Sequence, residues 1–357
     1  ITAADVTTFV SAAGVAQGAG SDATVTAAAL RVQAAGDAIL ENTANSVATL
    51  ATNTGGRSSY VNAGALRVGS VSTTVGPVAT LGTTTGVTAV GATTLVAGSG
   101  KLQLDNAVST VGTGAVTTLE AGGDVSQGPA AAVSSDAVSV RAAGAVALES
   151  ASNAVSTLAV EAADGNISFV NSQALSVGSV TTATAAAAGT RAGLLAAGAG
   201  RHISVQTLAG DITLAQQVTT NADAGASDTV TIAAAGGTSI GTVEDVFDRH
   251  GGSPVRGVVV RASAVEAVLY FLLLNSVLFN EFKKTDAIKR PRAIRVCSGG
   301  VLEEPSSQCI QLCAQFFQLA GRALHGRGHA CRHFLGALLQ RLAGGGERDD
   351  HPPLILG

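Results

Sequence analysis

Residues 137–180 read AVSVRAAGAVALESASNAVSTLAVEAADGNISFVNSQALSVGSV, and residues 29–71 read ALRVQAAGDAILENTANSVATLATNTGGRSSYVNAGALRVGSV. About half of the aligned positions are identical. The offset is first 108, as from Leu40 to Leu148, and then 109, as from Leu66 to Leu175. A segment that recurs in this way indicates a repeat architecture, in which each unit stacks on its neighbours.

Short stretches of alternating apolar residues recur along the same part of the chain, and examples are Leu30-x-Val32, Val138-x-Val140, Ile167-x-Phe169, Ile203-x-Val205 and Val230-x-Ile232. This alternation is typical of strands with one face toward a core. Between the strands lie steps at which we expect glycine to turn the chain with positive φ, namely Gly36-Asp37, Gly55-Gly56, Asp164-Gly165-Asn166 and Gly210-Asp211. Short strands without helix-length spacers predict a β-solenoid with about 20 residues per coil and roughly a dozen coils.

Two local alternatives remain open in this interpretation. Alternation does not fix strand direction, so an antiparallel sandwich is the rival architecture, although the short strands and uniform corners favour the solenoid. Residues 184–200 are rich in alanine, the best helix former, but glycines interrupt them. We therefore expect small-residue coils or an irregular excursion there.

Asparagine recurs at equivalent positions of the two copies, as Asn45 with Asn153 and Asn62 with Asn171. Two roles fit such residues. Their amides satisfy buried backbone groups in asparagine ladders, or they simply favour turns on the surface. The sequence does not decide between these roles.

Composition changes abruptly near Val243. Residues 1–243 carry 7 basic and 14 acidic residues and no cysteine, whereas residues 244–357 carry 14 basic and 11 acidic residues and all four cysteines. We therefore divide the chain into a β-solenoid region, 1–243, and a distinct tail, 244–357. We expect the tail to be irregular or partly helical, disordered, or an out-of-frame translation. An unbroken reading frame with an intact homologous tail would overturn the last hypothesis.

The repeat resembles a known family in phrases such as Asn-x-Val-x-Thr-Leu-Ala at 153–159, Gly-Asn-Ile-Ser-Phe-x-Asn at 165–171 and Leu-Ala-Gly-Asp-Ile-Thr-Leu at 208–214. These are similar to the haemagglutinin-type repeats of large bacterial exoproteins, the filamentous haemagglutinin-like and autotransporter-like adhesins. The resemblance covers most of residues 1–243. It implies an all-β fold, a right-handed parallel β-helix, in a fragment of a secreted or surface protein.

The same resemblance implies a non-enzymatic stalk or adhesin that is secreted or lies at the bacterial outer membrane or cell surface. The expected partner is a host-cell receptor, a glycan or a neighbouring cell surface. Outer-membrane attachment is expected only through parts of the parent protein that we do not find in this sequence. Neither a cofactor nor a nucleic-acid partner is expected.

The alternative function is a carbohydrate-active β-helix enzyme, either a polysaccharide lyase or a hydrolase. Such enzymes need acids, bases or metal-binding carboxylates clustered on one face. In this sequence the acidic residues occur singly, among them Asp37, Asp105, Asp124 and Asp211. Glu41 and Glu149 occupy equivalent positions of the repeat, which indicates a surface or turn role. We therefore expect no catalytic residue.

The tail contains one motif that suggests a metal site. Cys309-x3-Cys313-x11-His325-x3-His329 is close to the spacing of a zinc site with two cysteines and two histidines. The linker is one residue short, and the aromatic and leucine residues that usually accompany such a site are out of step. We interpret the match as a coincidence and predict no metal site.

Overall fold

The computed structural model describes residues 1–240, except 19, 21, 75, 77–80, 183, 199 and 221–227, together with residues 258–261. Within these residues the helical structure is limited to one 3₁₀ turn, Ala185–Ala187. The strands are β1 (Val6–Ser11), β2 (Val15–Ala16), β3 (Thr26–Ala34), β4 (Ala38–Leu40), β5 (Ser46–Thr54), β6 (Ser58–Asn62), β7 (Leu66–Val68), β8 (Ser70–Thr73), β9 (Gly82–Thr85), β10 (Val87–Ala97), β11 (Leu102–Leu104), β12 (Val108–Ala121), β13 (Val125–Gln127), β14 (Val133–Ala142), β15 (Val146–Leu148), β16 (Ala154–Ala162), β17 (Ile167–Asn171), β18 (Leu175–Val177), β19 (Ser179–Thr182), β20 (Gly189–Ala192), β21 (Leu194–Ala196), β22 (His202–Thr207), β23 (Ile212–Leu214), β24 (Val218–Thr220), β25 (Thr229–Ala233), β26 (Thr238–Ile240) and β27 (Val258–Arg261).

Two long parallel ladders define the fold. Ladder A joins β1, β3, β5, β7, β11, β13, β15, β17, β22, β25 and β27, in that order. Ladder B joins β2, β4, β6, β10, β12, β14, β16, β18, β23 and β26. Every pairing in both ladders is parallel, so the β-solenoid prediction is confirmed and the antiparallel sandwich is wrong.

A third and shorter ladder gives the middle coils a third side. It runs through the N-terminal parts of β10, β12 and β14, where Val87 pairs with Val108 and Val108 with Val133. The register of these pairings shifts between Val90 and Ala92, because the long strands bend there from one side of the coil to the next.

The interior is filled by the inward residues of all three sides. Tyr60 and Phe169 are the largest fully buried side chains, and they occupy equivalent positions of the two repeat copies. Around them lie stacked aliphatic residues, among them Leu30, Leu50, Leu66, Leu95, Leu102, Leu104, Leu119, Leu148, Leu158 and Ile167. The sequence therefore encodes a continuous apolar core with strands of only a few residues, because each coil buries its face against the next.

Two antiparallel hairpins project from the solenoid. We call β8–β9 the first hairpin and β19–β20 the second hairpin. They begin within the same Val-Gly-Ser-Val phrase of the two copies, at 68–71 and 177–180. The second hairpin accounts for the alanine-rich stretch after Thr184, which is an excursion as expected and holds the 3₁₀ turn noted above and strand β20, before β21 rejoins the solenoid.

The hairpins lengthen the coils that carry them. Leu66 and Leu102 are neighbours in ladder A but lie 36 residues apart in sequence, whereas Leu30 and Leu50 lie 20 apart. Ladder B therefore has nine steps, and the described solenoid has about nine turns instead of a dozen. Ladder A continues to β27, so one strand of the solenoid lies beyond the predicted boundary at residue 243.

The asparagine ladders are the correct alternative for the repeated asparagines, which are all buried. Asn153 accepts a hydrogen bond from Val133 N at 2.8 Å and donates to Leu148 O and Val170 O at 3.1 and 3.0 Å. Asn45 makes the same three bonds in the first copy, with Val25 N, Leu40 O and Val61 O.

Asn62 and Asn171 follow the same principle one coil further on. Asn62 accepts from Val47 N at 2.8 Å, and Asn171 accepts from Val155 N at 3.0 Å. These side chains therefore replace ladder hydrogen bonds at corners where the backbone cannot pair with backbone.

Candidate functional site

Aspartates at three corners of the solenoid have structural partners. Asp37 Oδ1 accepts a hydrogen bond from Arg57 N at 2.8 Å. Asp124 Oδ1 accepts from Ala145 N at 2.8 Å, and Asp211 Oδ1 accepts from Gly237 N at 2.6 Å. Each carboxylate thus caps a backbone amide of the following coil, as acidic caps do at other chain corners.

Glycine is required at these corners mainly for close packing between coils. A Cβ atom on Gly56 would collide with Asp37 Oδ1, and one on Gly144 would collide with Asp124 Oδ1. Positive φ was expected at Gly36, Gly55, Gly56, Gly165 and Gly210, but of these only Gly210 has it, at 74°. The expectation was wrong for the others, and at Gly55, Gly56 and Gly165 the neighbouring coil, not the turn conformation, excludes a side chain.

A cluster of four charged side chains lies on the outer face of ladder B, and the sequence analysis missed it. Glu120, Arg141 and Glu161 stand side by side on β12, β14 and β16, one coil apart. Arg191 of the second hairpin forms an ion pair with Glu120 and lies 3.8 Å from Glu161 Oε2, measured from Nε. We call these four residues the charged cluster.

The charged cluster differs from the carboxylate pair of a glycosidase. A retaining or inverting enzyme needs one carboxyl group that donates a proton and another that acts as nucleophile or base. Here both carboxylates face the same guanidinium, and the side chains of Arg191 and Glu120 are only 15% and 16% exposed. The arrangement is suited to holding the second hairpin on the solenoid.

An open groove of about 460 Å³ lies on the same outer face, beyond the tip of the second hairpin, and its lining residues are Glu41, Thr43, Val61, Asn62, Ala63, Val96, Gly98 and Ala186. Glu41 Oε1 accepts a hydrogen bond from Ser59 Oγ at 2.5 Å, and Asn62 is committed to its backbone partners. Glu149, which matches Glu41 in the repeat, is exposed. The groove therefore brings one carboxylate, and not a pair, to a mostly apolar floor.

The outer face of ladder A from β11 onward is accessible to solvent, and along its middle uncharged side chains that are small except for Gln103 lie in register. Its central row runs down the ladder one residue per coil, through Gln103, Ser126, Ala147, Ser168, Ser204 and Thr231. All six are at least partly exposed. We call this row the small-residue row. It is a flat surface suited to broad contact with another molecule.

The described residues contain no group of three or more histidine, cysteine, aspartate or glutamate side chains placed to hold a metal ion. The sequence-derived zinc candidates Cys309, Cys313, His325 and His329 lie outside the described residues. No helix within the described part of the chain is long and apolar enough to cross a membrane.

Comparison of the chain with protein-family models, with curated proteins and with solved structures finds no match.

Proposed function

We propose that this chain is a fragment of a large bacterial secreted or surface exoprotein and that it acts as a structural stalk or adhesin without turnover. The observation that supports the proposal is the long stack of parallel coils with the small-residue row on a solvent-accessible face. The haemagglutinin-like phrases of the repeat supply the cellular setting. The proposed partner is a host-cell receptor, a glycan or a neighbouring cell surface.

The physical basis of such contact is a rigid surface with many small side chains. A preformed sheet face loses little conformational entropy on binding, and serine and threonine hydroxyls both donate and accept hydrogen bonds. Seven basic against 14 acidic residues in 1–243 disfavour binding to nucleic acid. Attachment to the outer membrane would use other parts of the parent protein.

Binding of the labelled full chain to host cells, bacterial cells and a glycan array tests the proposal. We expect saturable binding to at least one of these surfaces. Ser168→Arg with Ser204→Arg, which places two large cations on the small-residue row, should lower that binding at least tenfold. Ser70→Arg on the exposed face of the first hairpin is the matched control and should leave it unchanged. Equal binding by the row variant and wild type would contradict the assignment of this face.

The alternative is a carbohydrate-active β-helix enzyme, which would have to use the two glutamates of the charged cluster although both face Arg191. Incubation of the full chain with acidic and neutral polysaccharides distinguishes the two functions. The enzyme would release oligosaccharides, and Glu120→Gln or Glu161→Gln would abolish the release. We expect no release by the wild-type chain.

A further inference from the structure

The two hairpins arise at equivalent points of the fold. The first follows β7 in ladder A, and the second follows β18 in ladder B. Each ends at a glycine with positive φ, Gly86 at 72° and Gly193 at 73°. In both cases the long strand of the preceding coil pairs with one strand on each side of the hairpin, β5 with β7 and β10 in the first copy and β16 with β18 and β21 in the second.

Both hairpins fold back over the outer face of earlier coils. Thr73 of the first hairpin lies 2.5 Å from Thr8 on β1, measured between their hydroxyl oxygens. In the second hairpin, Thr182 Oγ1 lies 2.8 Å from Thr118 Oγ1. These partners are 65 and 64 positions apart in sequence, so each hairpin ties together coils that the parallel ladders join only step by step.

The second hairpin also covers a row of hydroxyl side chains on β10, β12 and β14. Thr94 and Thr118 are buried on this outer face, and Thr184 Oγ1 lies 3.0 Å from Thr94 Oγ1. Ser139 continues the row on β14 and is also fully buried. Buried hydroxyl groups need partners, and the hairpin supplies them.

One contact under the two hairpins is reciprocal. In the first copy the cation is on the solenoid, where Arg31 Nε donates to Thr84 Oγ1 of the first hairpin at 2.9 Å. In the second copy the cation is on the hairpin, where Arg191 donates from a terminal guanidinium nitrogen to Ser139 Oγ of the solenoid at 3.0 Å.

The position of Arg31 in the first copy is equivalent to that of Ser139 in the second, and the position of Thr84 is equivalent to that of Arg191. Arg31 is in register with Ala51 on the next coil, and Ser139 is in register with Ala159. Within the hairpins, Thr84 pairs with Val71, and Arg191 pairs with Val180. The guanidinium and the hydroxyl have therefore exchanged sides between the copies, while the contact between them is retained.

This exchange has a simple physical requirement. Two arginines at the contact would place like charges together under the hairpin, and two hydroxyl residues would leave its buried face without the long side chain that fills it. One cation and one hydroxyl satisfy the contact from either side. In the second copy Arg191 gains further attraction from Glu120 and Glu161.

We propose that the hairpins are straps that fasten several preceding coils together, and that Arg191 is the residue that locks the second strap over Thr94, Thr118 and Ser139. The strap limits unzipping of the solenoid, because coils beneath it can separate only after it lifts. This inference depends on the fold and is independent of the proposed adhesive function.

Hydrogen exchange of the full chain, followed by mass spectrometry of peptides, tests the lock. Arg191→Thr should speed amide exchange in residues 178–193 at least tenfold and leave the first hairpin and strands β15 and β17 unchanged. Ser139→Arg alone should have a similar effect. The double variant, which copies the arrangement of the first hairpin, should exchange more slowly in this peptide than either single variant.

The matched control is Arg141→Thr, because Arg141 also lies near Glu161, at 4.0 Å, but is exposed and outside the strap contact. It should leave exchange in 178–193 unchanged. The proposal is overturned if the hairpin of the Arg191→Thr variant exchanges at the wild-type rate. It is also overturned if the double variant exchanges as fast as the faster of the two single variants. If Arg191→Thr accelerates exchange throughout the chain, the exchange of the milder variant Arg191→Lys is measured to decide whether Arg191 locks the hairpin. Faster exchange in the hairpin alone supports the lock, and no change in the hairpin rejects it.

Discussion

The two copies of the repeat share their local structure but lie on different sides of the solenoid. The long strands of the first copy, β3 and β5, belong to ladder A, whereas the equivalent strands of the second copy, β14 and β16, belong to ladder B. The hairpins change sides in the same way, since the first interrupts ladder A and the second interrupts ladder B.

This difference shows which contacts the repeat encodes. Because a copy forms the same local structure on either side of the solenoid, that structure cannot depend on where the copy lies in the cross-section. It depends on the coil before and the coil after, as expected when stability is the sum of contacts between neighbouring units. Equivalent substitutions in the two copies should therefore have similar effects, except where the neighbouring coil differs.

The largest expected effect comes from the buried asparagines. Asn153→Ala removes the partners of Val133 N, Leu148 O and Val170 O, and each buried group left unpaired costs about 1–3 kcal/mol. We expect a loss of about 3–5 kcal/mol in the free energy of unfolding, measured by denaturant titration with circular dichroism. Asn45→Ala should cost the same to within about 1 kcal/mol, because its three backbone bonds are equivalent.

Asn53→Ala is the control for this pair, since Asn53 is exposed, and it should change stability by less than about 0.5 kcal/mol. A nearly neutral Asn45→Ala beside a damaging Asn153→Ala would show that the two copies are not energetically equivalent.

The next effect distinguishes the copies. Gly56 and Gly165 are equivalent, but a Cβ on Gly56 would first meet the Asp37 carboxylate, which can move, whereas one on Gly165 would meet the backbone of Ala145. Overpacking costs about 1–3 kcal/mol, so we expect about 2 kcal/mol for Gly56→Ala and about 3 kcal/mol or more for Gly165→Ala. The same titration measures both variants. Gly64→Ala, with nothing within 4 Å of the added carbon, should be close to neutral. The reverse order of the two costs would refute this account.

The sequence was sufficient for the solenoid but not for the direction of every strand. Leu30-x-Val32 and its counterparts show alternation in repeated units, which predicts inward stacking whichever side a copy occupies. Ser70–Thr73 of the first hairpin alternates in the same way, although its strand is antiparallel. A period of two is common to both directions, so the hairpins could not be distinguished from ladder strands by pattern.

The charged cluster was missed for a different reason. Glu120, Arg141 and Glu161 look isolated in the sequence, but they lie one coil apart and therefore stack. Knowledge of the local coil length would have aligned them. Strand β27 was missed because the composition had already changed, although Val258-x-Val260-Arg261 repeats the form of Val138-x-Val140-Arg141.

The smallest effect concerns a cap that only the first copy has. Asp37 caps Arg57 N, whereas the equivalent residue of the second copy is Ala145. The hydrogen bond from the Arg57 backbone, with a further one from its side chain, holds the pKa of Asp37 below its usual value. A carboxylate with a lowered pKa stabilises the fold at pH values above its unfolded-state pKa of about 4. This contribution is lost as the pH falls through the folded-state pKa.

Asp37→Asn should therefore lower the thermal midpoint slightly at pH 7 and by less at pH 3, where part of the charge is already lost in the wild type. The side chain of Asp37 is 42% exposed, so solvent screening limits the effect to less than about 1 kcal/mol. Ala145→Asp is the complementary variant in the second copy. It lacks the arginine side chain there, because Asn166 takes the place of Arg57, so only a backbone amide remains as partner and it should add less pH dependence than Asp37 does. If the thermal midpoints of wild type and Asp37→Asn differ by the same amount at both pH values, the carboxylate acts by its shape and not by its charge.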